Sequence, residues 1–198
     1  IPSAVGLSIL AEPIISMLFS PYSTVDVNLL RYGTIAVVLY SLSTITNATL
    51  QGIDKERFTV TSAAVSLVIH IVVLALLVGV FNLGIYGVLI AYICFALVVC
   101  VVNNLAIARL LSYRQEYFKT FLIPFVSALV MGFAVFGMYK GFIALTFGRI
   151  LSCSLSIVLG AVVYALVLLV LKGVDEDEVL ALPKGRIIVR ILKKIHLL

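Results

Sequence analysis

The sequence predicts an all-α integral membrane protein of six transmembrane helices followed by an amphipathic tail helix, and three observations carry that prediction. Hydrophobic residues make up 63% of the chain and charged residues 12%, against about 25% charged in soluble domains, and the mean hydropathy is +1.26. Apolar runs close to the ~20 residues that a spanning helix needs recur along the chain. Basic residues gather in alternate connections, as the positive-inside rule requires of a multi-pass protein.

The first run, Ile1 to Phe19, is interrupted by Glu12-Pro13, where proline removes a backbone donor and the acid sits at membrane depth. Glu12 is either a proton, cation or substrate contact or a carboxyl hydrogen-bonded to a neighbouring helix. Ser20-Pro21-Tyr22-Ser23 marks a turn. The second run is Val27 to Gln51, with Arg31 near its start able to snorkel to the surface. After the charged turn Gly52 to Phe58 comes the third run, Thr59 to Phe81, and then the uncharged link Asn82 to Gly87. The fourth run, Val88 to Leu111, carries Tyr92 and the pair Asn103-Asn104 and leads into the basic loop Ser112 to Lys119. Phe121 to Tyr139 is the fifth, with Pro124 in the first turn where proline is tolerated. The link Lys140 to Arg149 precedes the sixth, Ile150 to Leu171, in which Ser152, Ser156 and Gly160 form a stripe of small residues suited to close helix packing. Cys94, Cys100 and Cys153 all lie inside apolar runs and read as small buried hydrophobes.

Two polar stripes organise the chain. Tyr40, Thr44, Asn47 and Gln51 recur at helical spacing on the second run, and Thr59, Ser62, Ser66 and His70 do so on the third. In lipid an unpaired polar group is costly, so each stripe should face another helix or a wet cavity. Interhelical hydrogen bonding is the alternative to a substrate path for these residues, and helix packing the alternative to a titrating switch for His70.

Lys55, Arg57, Arg109, Arg114, Lys119, Lys172, Lys184, Arg186, Arg190, Lys193 and Lys194 fall on one side of a six-span arrangement, and only Arg31, Lys140 and Arg149 on the other. Both ends of the segment are therefore expected in the cytoplasm. Residues 1–171 form the membrane region and 172–198 a cytoplasmic tail. There Asp175 to Glu178 open a short helix that Pro183-Lys184-Gly185 stops. Beyond it Arg186, Arg190, Lys193 and Lys194 share one face of a basic amphipathic helix and Ile187, Ile191 and Ile195 the other. Such a helix suits the surface of a membrane with anionic lipids. The chain starts Ile-Pro-Ser-Ala without a basic leader region, and is read as the later part of a longer polypeptide.

No enzyme constellation is readable: His70 and His196 stand alone, and there is no Ser-His-Asp set, HExxH, phosphate loop or carboxylate pair. The net charge of +5 follows from topology, so no nucleic-acid partner is expected. No metal and no cofactor is expected, with Na⁺ or proton coupling left open. Uncharged polar stripes suit passage of a polar substrate better than fixed acid–base chemistry.

Ala11-Glu12-Pro13-Ile14-Ile15 with Leu18-Phe19, Leu50-Gln51-Gly52-Ile53-Asp54-Lys55, and Leu83-Gly84-Ile85-Tyr86-Gly87 together resemble the bacterial exporters of the multidrug, oligosaccharidyl-lipid and polysaccharide (MOP) superfamily, in particular the stage V sporulation protein B and MurJ-type branch. The resemblance implies a two-lobe, MATE-like transporter of which this chain supplies most of the C-terminal lobe, the C-terminal region of a polysaccharide biosynthesis protein. It implies flipping of undecaprenyl-pyrophosphate-linked sugars such as lipid II across the bacterial plasma membrane by alternating access, in peptidoglycan, polysaccharide or spore wall synthesis. The remaining N-terminal helices of the parent and the lipid-linked oligosaccharide are then its partners, and the last two helices a groove for the lipid tail. The charged residues that hold pyrophosphate in that family lie in earlier helices, so none transfers here. Tyr40, Thr44, Asn47, Gln51, Ser62, Ser66, His70 and Glu12 are the substrate-cavity candidates, chosen for polar position. A cation-coupled multidrug antiporter, a membrane glycan-transferring enzyme and a non-transporting scaffold are the competing readings.

Overall fold

A computed structural model describes residues 1–111, 118–146, 148–171 and 173, and these residues fold into helices joined by short connections. Two compact units emerge from the packing, one built from the first two and last two helices and the other from the three between them.

The first apolar run forms two short helices, α1 (Pro2–Ile9) and α2 (Ala11–Leu18), separated at Leu10. Pro13 explains the position of the break. Its missing N–H would have bonded to the carbonyl of Ile9, and its ring crowds that same carbonyl, so the regular ladder stops four residues before the proline. At eight residues, neither helix spans a bilayer unaided. Six long spans were expected, and among the described residues five helices are long and apolar enough to cross: Thr24–Gly52, Glu56–Val80, Gly84–Leu111, Thr120–Ala144 and Arg149–Val170. The chain is thus a multi-pass membrane protein whose described residues are helical apart from short connections.

Helix α3 (Thr24–Gly52) starts on a reciprocal cap. The Asp26 backbone N–H donates to Ser23 Oγ, while Asp26 Oδ2 accepts from the Ser23 N–H at 2.8 Å. Ser23→Ala should cost about 1 kcal/mol, read as a lower midpoint in detergent unfolding, and an unchanged midpoint would deny the cap that role. Helix α4 (Glu56–Leu74) continues into a wider π-helical stretch, Ala75–Val80. Helix α5 (Gly84–Leu111) is the common partner in this unit: α3 and α4 each pack on it more extensively than on one another. The hairpin of α3 and α4 was the expected centre. The buried small residues of α5, Gly87, Ala91, Ala96 and Ala106, explain the difference, because they let two helices approach it closely.

In the other unit α6 (Ile123–Ala144) and α7 (Arg149–Val170) form the most extensive pairing. Helix α6 runs on through Ala144, so the first half of the expected link Lys140–Arg149 is helical. Lys140 holds its ammonium 4.4 Å from the centre of the Phe136 ring one turn earlier, a contact that favours continuation. The predicted small-residue stripe of α7 is the contact face: Ser152 and Ser156 are fully buried, and Gly160 lies against Val135 of α6. Helix α1 also packs on α6, where a Cβ at Gly132 would come 2.5 Å from Ile9 Cδ1. Leu10, Met131, Val135 and Cys153 form the core. The basic loop around Arg114 and the tail with Arg186, Arg190, Lys193 and Lys194 lie outside the described residues.

Candidate functional site: a polar groove on α3

Helix α3 carries two adjacent polar faces. Ser43, Thr46 and the fully buried Leu50 turn toward α5, with the Ser43 hydroxyl bonded to its own helix at Leu39 O, 2.9 Å away. A step of about 100° per residue then places Tyr40, Thr44, Asn47 and Gln51 on the neighbouring face. These four line a groove of about 420 Å³, completed by Ser43 and Ala48 of α3, Ala63 of α4, and Phe95 and Val99 of α5. That volume falls in the range of small-molecule sites, about 300–1,000 Å³. Hydroxyl and carboxamide groups, two aromatic rings and small alanines line it, and no carboxylate, lysine or arginine is among them.

The α4 stripe has a different place. Ser62 and Ser66 are buried and do not line the groove. Ser66 donates to Ser62 O at 2.7 Å, and Ser62 donates to Asn103 Oδ1 of α5 at 3.1 Å. Nδ1 of His70 lies 3.0 Å from Ala91 O, and its ring meets Phe95 edge-on with centroids 5.6 Å apart. The Ser62 and His70 contacts join α4 to α5, whereas the Ser66 bond stays within α4. Thr59, one turn before Ser62, buries a hydroxyl that has no partner among the described residues. Glu12 is exposed in the first turn of α2 and belongs to the other unit.

Sequence reasoning noted Asn103 without giving it a role. It is fully buried and joins all three helices of its unit. Its Nδ2 donates to Asn47 Oδ1 at 2.6 Å and to Thr46 Oγ1 at 3.4 Å, while its Oδ1 accepts from Ser62. The signal was available in principle, since a carboxamide within an apolar spanning helix is too costly to leave unpaired. Phe95 was also missed, because an aromatic residue in an apolar run has no distinguishing pattern.

Among the described residues no group of three His, Cys, Asp or Glu side chains comes together as a metal site. The arrangement offers reversible hydrogen bonding beside aromatic surface.

No protein-family model and no solved structure matches the chain. Over 75 residues the chain is 35% identical to the lipid II flippase MurJ of Bacillus subtilis (strain 168), a match covering 36% of this chain and 14% of that protein's length. The chain is thus similar, over about a third of its length, to a membrane flippase.

Proposed function

We propose that this chain is part of a transporter that flips lipid-linked sugar precursors across the bacterial plasma membrane by alternating access. The observation that carries the reading is an uncharged polar groove on α3 in a chain of spanning helices. The similarity to a lipid II flippase supports it. A polar head group that must bind and then leave is served by weak, neutral hydrogen bonds, since a tightly paired charge would slow release. An undecaprenyl-pyrophosphate-linked sugar is the proposed substrate. The proposed architecture is the C-terminal part of a MATE-like two-lobe transporter, with α1 and α2 crossing together as one bent span so that both ends of the segment are cytoplasmic. Further helices of the same parent protein would complete the cavity, and α6 and α7 would face the lipid tail. The basic residues of the tail would hold anionic lipids, and spore or general wall synthesis would consume the product. A cation-coupled antiporter gains no ligand from this groove, which has no carboxylate.

The test is the double substitution Asn47→Leu and Gln51→Leu in the whole protein, with lipid-linked precursor exposed at the outer leaflet as the readout. Removal of two hydrogen-bonding groups should reduce flipping about tenfold while membrane insertion is unchanged. Full flipping by the inserted double variant would remove the groove from the transport path.

A further inference from the structure

We infer that the groove reads the neutral sugar part of the transported head group, not its pyrophosphate, through the Asn47 carboxamide N–H, and that Asn103 is the positioning residue that sets this polarity. The inference rests on the transport reading above and names the chemistry taken at that site.

The orientation of Asn47 follows from proton accounting. The Thr46 hydroxyl has one proton, directed to the carbonyl of Leu42 at 3.1 Å or of Ser43 at 3.0 Å. Its oxygen then accepts from Asn103 Nδ2, 3.4 Å away. That same nitrogen donates to Asn47 Oδ1 at 2.6 Å, so Asn47 presents its carbonyl oxygen to Asn103. Ser62 supplies the matching donor on the opposite side, 3.1 Å from Asn103 Oδ1. Both protons and the oxygen of the Asn103 carboxamide are thus used, and Asn47 is locked with its amide nitrogen left over. Asn47 is half-buried in the groove wall, and no acceptor among the described residues takes its N–H groups. The groove presents a fixed donor.

An acceptor oxygen fits that donor, and the surroundings decide which kind. Among the described residues the wall of this groove offers a phosphate no lysine or arginine, and desolvating an unpaired anion is costly. Gln51 lines the groove at the C-terminal end of α3, where helix carbonyls place partial negative charge that disfavours an anion. A sugar hydroxyl or acetamido carbonyl carries no net charge. It can accept from Asn47, donate to the oxygen of Thr44 or Gln51, and lay its apolar face on Tyr40 or Phe95.

Binding of two probes to the purified, reconstituted whole protein tests this: undecaprenyl pyrophosphate alone and the same lipid carrying an N-acetylated disaccharide. The wild type should bind the sugar-bearing lipid more tightly. Asn47→Leu, neutral and of similar size, should lose about tenfold in affinity for the sugar-bearing lipid and nothing for the bare one. Asn103→Leu should reduce the same preference without touching the groove, a split that a general loss of packing would not produce. Asn47→Ser serves as the second variant where leucine impairs folding, with the same loss expected. An unchanged sugar preference in folded Asn47 variants would overturn the inference while leaving transport intact, and so would an equal loss for both lipids. A wild type that binds neither lipid would overturn the transport reading and the inference with it.

Discussion

Replacing Gly160 by leucine is expected to lower the stability of the α6–α7 pair by about 3 kcal/mol or more. Even a methyl group at that position would meet Val135 Cγ2, and Val135 is stiff, β-branched and 2% exposed, so it has no room to give. Overpacking a well-filled contact typically costs about 1–3 kcal/mol, and leucine adds three further carbons between two helices that touch through Ser152, Ser156 and Gly160. The helices must separate, which also exposes the buried serines to lipid. The midpoint of unfolding by sodium dodecyl sulfate, followed by helicity, measures the effect. Gly137→Leu on α6 is the control, because a Cβ there meets nothing within 4 Å. Equal midpoints for the two variants would show that close approach at Gly160 does not stabilise the pair.

Asn103→Leu is expected to cost the other unit about 2 kcal/mol by the same measurement. Hydrogen bonds between membrane helices contribute about 0.6 kcal/mol on average, so the bonds themselves account for only part of this. The larger share comes from leaving the Ser62 hydroxyl and the Asn47 carbonyl facing apolar carbon, where an orphaned polar group costs about 1–3 kcal/mol. That asymmetry makes a sharper expectation: adding Ser62→Ala and Asn47→Leu to Asn103→Leu should recover much of the lost stability, because the orphaned groups are then gone too. A triple variant no more stable than the single one would mean that Asn103 acts through packing volume and not through its bonds.

These two sites differ in how far they were legible. The α7 stripe could be read directly, since small residues four apart on an apolar helix have few uses other than close approach, and α6 fills that role. The polar stripes were legible as stripes, but their partners were not. Tyr40, Thr44, Asn47 and Gln51 line a groove, whereas Ser62, Ser66 and His70 spend their polar groups on α4 itself or on α5. Periodicity reports that a face is polar, and both outcomes satisfy the same need to keep polar groups away from acyl chains. The start of α3 shows a similar limit. A turn at Ser20 to Ser23 was evident from composition, while the cap between Ser23 and Asp26 depends on the two side chains meeting across three residues.

Composition and periodicity by themselves determined the class of this protein, the apolar runs, the faces that carry polar groups and the point where Pro13 strains the first helix. Each of these depends on residues near in sequence, through the transfer of apolar side chains from water, the 3.6-residue turn and the missing N–H of proline. Tertiary structure alone decided that α5 and not the α3–α4 hairpin is the centre of its unit, and that Asn103 joins three helices. It also decided which of two similar stripes is left open as a groove. Those outcomes depend on which small residues allow backbones to approach, and on pairings between side chains 41 and 56 positions apart in the chain. No local pattern encodes such a distance: a buried carboxamide finds its partners only when the helices close around it.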